Sequence, residues 1–281
     1  MIVLPSEKII KAKRFMDNGE FEEALEYLDD LEQKEALTLD ERLNIQGIKS
    51  YLFYWLGKFE YALNTAETLY QTSQEFNKAL FSFDALHVKR LVFVTRGRWD
   101  EFFKNVEVSN NLFKSIPQED LLIYPQLEAD MDFKYAVRDF GLGKYDQSLE
   151  YAEKCLAYYE KNDPLSLMIP LILYFKGWNY LFKGEINLAL ACGERAKSKY
   201  RDPLFMKAEV NLLMGGLYYH KGDLDLALEH LISSLEIFKK FEVGYWIGTM
   251  YYYIIRNFLL KKENGEVQRY LHEFTLLKEK H

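Results

Sequence analysis

Three stretches of the chain repeat one phrase, and this repetition limits the fold more than any other feature. The stretches begin at a glycine and read GKYDQSLEYAEKCLAYY from 143, GEINLALACGERAKSKY from 184 and GDLDLALEHLISSLEIF from 222. Similar stretches follow seven glycines at steps of 38 to 46 residues, namely Gly19, Gly57, Gly97, Gly143, Gly184, Gly222 and Gly265. A period of this length predicts stacked supersecondary units rather than a single globular core.

The residues around each glycine predict a helix on either side of a turn. An apolar side chain lies two residues after every glycine, and a second lies six residues after it. In five repeats the residue five after the glycine is small: Ala24, Ala62, Ser148, Ala189 and Ala227. In five repeats the residue four before it is aromatic: Phe15, Phe53, Phe93, Tyr180 and Tyr218. Because such spacings place side chains on one helix face, each unit is predicted to be a helix, a turn and a second helix.

These units resemble tetratricopeptide repeats, whose pattern is a small residue and a ring on helix A, a glycine turn, and alanine with large apolar residues on helix B. The match is best in GDLDLALEHLISSL, GKFEYALNTAETL and NGEFEEALEYLDDL. The resemblance implies an all-α fold, a right-handed α-solenoid of about seven antiparallel helix pairs. We assign residues 1–281 to a single solenoid domain and residues 243–281 to a C-terminal capping repeat.

Two repeats depart from the pattern. At Gly97, Arg90 and Phe102 replace small residues, and at Gly265, Phe258 and Tyr270 do so. The second departure is typical of a terminal repeat that has no neighbour to pack against.

The repeats are longer than the common unit of about 34 residues. Units of this length resemble those of bacterial peptide-pheromone receptors, kinesin light chains and the sugar-sensing domain of a maltose-system activator. The resemblance implies a protein that binds a short peptide, a cargo segment or a small ligand, and the period does not select among them.

The charge and the hydropathy of the chain exclude two classes of partner. A net charge of −7 and a pI near 5.4, with no run of Lys and Arg, argue against nucleic-acid binding. The segments Leu165–Phe182 and Gly244–Leu260 approach membrane-span length, but charged residues or proline interrupt both. We therefore expect neither a nucleic-acid partner nor a membrane partner.

The cysteines and the N-terminal sequence predict a cytoplasmic location. Cys155 and Cys192 are the two cysteines, and they form no disulfide-framework spacing, which favours a reducing compartment and a place in the core. The sequence MIVLPSEKIIKAKRF lacks the apolar run and cleavage site of a signal peptide.

No catalytic motif accompanies the repeats. The sequence contains no G-x-S-x-G, no H-E-x-x-H and no protease-type cysteine signature. The acidic residues Glu128, Asp130 and Asp132 are interpreted as a solvated helix face, and Asp84 with His87 as a polar groove contact. We predict that the protein is not an enzyme and carries no metal and no cofactor.

A binding surface is predicted on the first helix of each pair, which lines the inner wall of such a solenoid. Residues ten, six and three before the turn glycines should point into this groove and make it aromatic. The partner-binding residues predicted on this basis are Tyr51, Tyr54, His87, Phe133, Phe140, Tyr174, Trp178, Leu181, Leu212 and Tyr219. In the first six repeats Lys13 is the one basic residue at these positions, which argues against the Lys, Asn and Arg clamp by which related proteins bind a terminal carboxylate.

The predicted function is a scaffold or adaptor that binds an apolar or amphipathic protein or peptide segment in this aromatic groove. One alternative is a sensor for a small peptide or metabolite, as the long-unit families imply. Another is a homo-oligomer that associates through the aromatic wall.

Overall fold

The structure, a computed structural model, describes residues 6–199, 204–241 and 244–280. These residues form fifteen α-helices and no β-strand, which confirms the all-α prediction. The helices are α1 (Glu7–Asn18), α2 (Phe21–Lys34), α3 (Leu39–Trp55), α4 (Phe59–Glu75), α5 (Ala79–Thr95), α6 (Trp99–Phe113), α7 (Gln118–Ile123), α8 (Gln126–Gly141), α9 (Tyr145–Asn162), α10 (Met168–Phe182), α11 (Ile186–Lys199), α12 (Leu204–Lys221), α13 (Leu224–Lys240), α14 (Gly244–Lys261) and α15 (Asn264–Lys280). The short helix α7 is additional to the seven predicted pairs.

Six of the seven predicted glycines form the turns inside the helix pairs. Each has a positive φ, between 68° and 87°, a conformation that glycine adopts without a steric penalty. At Gly57 the turn is closed by two hydrogen bonds, from Gly57 N–H to the Tyr54 carbonyl at 2.9 Å and from Lys58 N–H to the Phe53 carbonyl at 2.8 Å. This Schellman pattern ends one helix and lets the next begin within a few residues.

The sequence prediction placed the seventh turn at Gly265, three residues too far along the chain. Lys262, with φ 62°, takes the left-handed position, and Gly265 lies inside α15. The same two hydrogen bonds recur here, because Lys262 N–H donates to the Leu259 carbonyl at 3.1 Å and Glu263 N–H to the Phe258 carbonyl at 3.0 Å. Phe258 therefore occupies the usual aromatic position four before the turn. In this register Ile255 and Val267 take the positions seven before and five after the turn, so the repeat still lacks the small residues of the pattern. The capping role of residues 243–281 stays a prediction, and residues 243 and 281 lie outside the described residues.

The chain divides into two compact units, which are described separately. The described residues up to Ile169 form unit 1, and those from Pro170 onward form unit 2. In unit 1, apolar residues of α3, α4, α5 and α8 form a shared core that includes Leu43, Leu69 and Phe83. The two cysteines are buried, Cys155 in unit 1 and Cys192 in unit 2. Within the described residues, no helix is both long and apolar enough to cross a membrane.

Two adjacent glycines of α12 have different surroundings. A Cβ atom on Gly215 would lie 2.5 Å from Cγ of Leu231 and 3.2 Å from the carbonyl oxygen of Ala227, both on α13. A Cβ atom on Gly216 would have no neighbour nearer than 3.7 Å. The absence of a side chain at Gly215 therefore lets α12 and α13 approach closely, whereas Gly216 has room for a methyl group.

We expect Gly215→Ala to destabilise the protein by about 1–3 kcal/mol, because the added methyl overpacks the contact with Leu231. Gly216→Ala is the matched control, and we expect it to be neutral or to stabilise by up to about 1 kcal/mol through helix propensity. Urea unfolding followed by circular dichroism measures both. Equal unfolding midpoints for the two variants would contradict the packing of α12 against α13.

Candidate binding sites

The predicted groove residues lie on the first helices of the pairs, but most of them are covered. Eight are buried: Tyr51, Tyr54, His87, Phe133, Tyr174, Trp178, Leu181 and Leu212. Phe140 and Tyr219 are half-buried. In unit 2, the Trp178 ring stacks on Trp246 with centroids 6.4 Å apart and meets Tyr174 edge-on at 6.2 Å. A partner-binding role for these ten residues stays a prediction, and the region around Tyr219 is the part of the wall that reaches solvent in unit 2.

Tyr219 belongs to a partly exposed cluster on α12 and α14 that we call the aromatic patch, formed by Tyr219, His220, Tyr252, Tyr253 and Arg256. The Tyr219 and Tyr253 rings lie 5.3 Å apart between centroids, and Tyr252 follows Tyr253 at 5.4 Å. Arg256 Nε donates a hydrogen bond to the Tyr219 hydroxyl at 3.3 Å, and its guanidinium lies 6.0 Å from the Tyr252 ring centroid. Tyr252 is 56% exposed, so the patch presents ring surface and a cation to solvent.

Buried residues hold the aromatic patch in place. Tyr253 and Arg256 are three residues apart on α14 and therefore share one helix face. Gly216 lies one turn before His220 on α12. The rings of Trp178 and Tyr253, on two other helices, each come within 3.7 Å of the position that a Cβ atom on Gly216 would take. The buried Trp178 ring and the patch residue Tyr253 thus pack against the same glycine.

The aromatic patch carries one positive charge among neutral rings. Burial, with smaller contributions from Tyr252 and Tyr219, raises the pKa of Tyr253 to about 12, so its hydroxyl stays protonated at neutral pH. Burial lowers the pKa of His220 from its ordinary value, which favours the neutral imidazole. The hydrogen bond to Tyr219 raises the pKa of Arg256, which is therefore the cation of the patch.

Unit 1 contains a buried charge cluster formed by Asp84, His87, Arg90, Asp130, Lys134 and Tyr159, which lie on α5, α8 and α9. Its centre is the Asp130 carboxylate, which accepts a hydrogen bond from the Tyr159 hydroxyl at 2.7 Å and lies 3.4 Å from Nδ1 of His87. Arg90 Nη2 lies 3.4 Å from the same His87 nitrogen. Lys134 Nζ lies 3.7 Å from the centroid of the Phe83 ring. The cluster joins three helices through charged groups that are closed off from water.

The pKa values in the cluster follow from burial and from the neighbouring charges. Burial alone would raise the pKa of Asp130, but His87, the Tyr159 hydroxyl and Arg90 together lower it, so the carboxylate is ionised. Burial lowers the pKa of His87 well below its ordinary value, although Asp130 opposes this effect. Burial, followed by repulsion from Arg90, lowers the pKa of Lys134. The Asp130 carboxylate is therefore the negative charge at the centre of the cluster, and Arg90 attracts it electrostatically.

One interpretation of the sequence is wrong in this region. Asp130 does not lie on a solvated face with Glu128 and Asp132, because it is two residues from each and points to the opposite side of α8. Asp84 and His87 are both buried, and their role as groove contacts stays a prediction. The His87–Asp130 pair has no access to a substrate. Among the described residues, no group of three or more His, Cys, Asp and Glu side chains could hold a metal ion.

Beside the charge cluster, unit 1 has a pocket of about 300 Å³. Two tyrosines separate the pocket from the cluster: Tyr51, whose ring centroid lies 6.1 Å from that of His87, and Tyr159, which binds Asp130. Lys13 Nζ lies 2.5 Å from Asp17 Oδ1 and 3.7 Å from Asp163 Oδ2. The described lining residues are Lys13, Met16, Asp17, Tyr51, Gln126, Tyr158, Tyr159, Asn162, Asp163, Leu165, Ser166, Leu167 and Met168.

Solved structures of tetratricopeptide-type repeat proteins are similar to this chain, and they confirm the fold predicted from the repeats. The APC/C hetero-tetramer Cut9-Hcn1 matches with a TM-score of 0.64 and 13% identity over 96% of this chain, which spans 46% of the matched chain. A Rap protein complexed with Competence and Sporulation Factor matches with a TM-score of 0.59 and 11% identity, over 96% of this chain and 73% of that chain. At these identities the likeness establishes the helical-repeat fold alone.

Comparison by sequence gives no relative. No protein-family model matches the chain, and no curated protein matches it.

Proposed function

We propose that the protein is a non-catalytic scaffold or adaptor that binds an apolar or amphipathic segment of another protein through the aromatic patch. The observation that carries this proposal is the cluster of Tyr219, Tyr252, Tyr253 and Arg256, whose rings and guanidinium are held in fixed contact at the surface of unit 2. Tyrosine and arginine dominate the binding energy of protein interfaces, because they bring large contact area with a polar end.

The chemistry of the aromatic patch defines what it would bind. Neutral rings favour apolar side chains, which lose water on contact with them. The guanidinium of Arg256 favours a carboxylate at one end of the segment. An amphipathic helix or extended peptide with apolar anchors and an acidic residue meets both requirements.

The similar structures support a binding role on this fold. One is a hetero-tetramer of Cut9 and Hcn1, and the other is a Rap protein complexed with Competence and Sporulation Factor. The proposal places the protein in the cytoplasm, where buried thiols such as Cys155 stay reduced.

The proposal is tested with a displayed library of random 16-residue peptides selected on the 281-residue chain. The best peptide is synthesised and its Kd measured by fluorescence anisotropy. We expect Tyr252→Ala combined with Arg256→Ala to weaken binding at least about tenfold, because both changes remove exposed contact area. Tyr61→Ala is the matched control, since Tyr61 is also an exposed tyrosine but lies on α4 in unit 1.

Peptides whose affinity is the same for the wild type and the patch variant would refute the proposal. Light scattering of the same proteins tests the alternative of self-association. A wild-type dimer that becomes a monomer in the patch variant would assign the aromatic patch to a second copy of the chain instead.

A further inference from the structure

The pocket of unit 1 has a charge that selects its ligand. Of its described lining residues, Asp17 and Asp163 are acidic and Lys13 is basic, which leaves one net negative charge. Lys13 Nζ already contacts both carboxylates. An anion entering the pocket would meet two carboxylates and a cation that is already paired, so the electrostatics disfavour it.

The pocket walls favour a cation that carries apolar surface. Three tyrosines, Tyr51, Tyr158 and Tyr159, line the pocket. The face of an aromatic ring attracts an ammonium or guanidinium group. Met16, Leu167 and Met168 add apolar wall. A volume of about 300 Å³ is at the lower end of the range for ligand pockets, enough for one long side chain or a small amine.

We propose that this pocket binds an ammonium or guanidinium group on an apolar stem, which displaces the Lys13 ammonium from between the carboxylates of Asp17 and Asp163 and lies against the tyrosine rings. Lys13 occupies the position between the two carboxylates and shows that a cation fits there. The group is supplied by a free amine or by a lysine or arginine side chain of a protein segment. The site belongs to unit 1 and does not depend on the aromatic patch of unit 2.

The test uses ligand-observed NMR titration of the 281-residue chain with three probes. N-acetyl-lysine methylamide carries the cation, N-acetyl-norleucine methylamide is its neutral isostere, and cadaverine represents a free amine. We expect both cationic probes to bind and the neutral isostere not to bind. The tighter of the two cationic probes identifies the source of the group, a protein segment or a small amine.

Two variants change the pocket charge in opposite directions. Asp163→Asn should weaken binding of the cationic probes about fivefold, because it removes one of the carboxylates. Lys13→Met should tighten binding about fivefold, because it frees the position between Asp17 and Asp163. Glu107→Gln is the matched control, since it removes one negative charge from an exposed position on α6 outside the pocket.

The proposal fails if the neutral isostere binds as tightly as the lysine probe. It also fails if Lys13→Met weakens or abolishes binding of the cationic probes, because removal of the competing ammonium should tighten it. Circular dichroism confirms that each variant is folded. If Asp163→Asn does not fold, the Lys13→Met result alone still tests the cation site.

Discussion

Replacing Asp130 with Asn is expected to lower the free energy of unfolding by about 3–5 kcal/mol, because it leaves the buried Arg90 guanidinium without the charge that compensates it. Asp130 is 1% exposed, and its carboxylate also accepts the hydrogen bond of the Tyr159 hydroxyl. The change keeps the side-chain volume, so the loss reports charge rather than packing. Urea unfolding at pH 7 measures it.

Asp132→Asn is the matched control, because Asp132 lies on the same helix two residues away and is half-buried. Burial raises its pKa, so the ionised form is not stabilised there and the change should cost less than about 1 kcal/mol. For Asp130, by contrast, the folded-state pKa lies below the unfolded value. Its stabilisation is therefore present above about pH 4 and is lost as the pH falls towards the folded-state pKa. Equal losses for the two variants at pH 7 would contradict the charge cluster.

The helix pairs could be predicted from the sequence because they depend on local signals. A turn residue with positive φ and the apolar residues on each side lie within one unit, and six of the seven turns occur at the expected glycine. The seventh was misplaced because Lys262, not a glycine, takes the left-handed position. The aromatic residue Phe258, four before Lys262, was the signal for the correct register.

The buried charge cluster could not be predicted from local signals, because its members compensate one another across helices far apart in the sequence. A pattern for it does exist. The position thirteen before the turn glycine holds Asn44, Asp84, Asp130 and Glu209 in four repeats, and all four are buried polar residues. At Glu209, burial raises the pKa to about 8. Arg90, at a position where a small residue was expected, was a second signal for the cluster.

The aromatic groove was predicted from fixed offsets along the first helix of each pair, and those offsets do not measure how deeply neighbouring helices cover each ring. Tyr219 is half-buried near the C-terminal end of α12, whereas Trp178 is covered by rings of adjacent helices. The exposed members Tyr252 and Arg256 were missed because the seventh turn was misplaced. They lie ten and six residues before Lys262, which are two of the groove offsets in the correct register.

Trp178→Ala is expected to destabilise the protein by about 3–5 kcal/mol, because it removes a large ring from a packed interior. The ring stacks on that of Trp246 and meets the Tyr174 ring edge-on. It also lies 3.7 Å from the position that a Cβ atom on Gly216 would take. The prediction that Trp178 lines the groove gives the opposite expectation. In that case Trp178→Ala would weaken partner binding and leave the melting temperature unchanged.

Phe182→Ala is the matched control for Trp178→Ala. Phe182 lies one turn further along α10 with its ring 5.9 Å from that of Trp178, but it is 57% exposed, so its loss should cost less than about 1 kcal/mol. Thermal melting and urea unfolding of both variants, with peptide affinity measured on the folded protein, separate the two roles. If Trp178→Ala melts like the wild type and loses peptide affinity, the ring acts at the partner surface, as its position in the repeat predicts. If it melts far below Phe182→Ala, its function is to hold the aromatic patch in place from beneath.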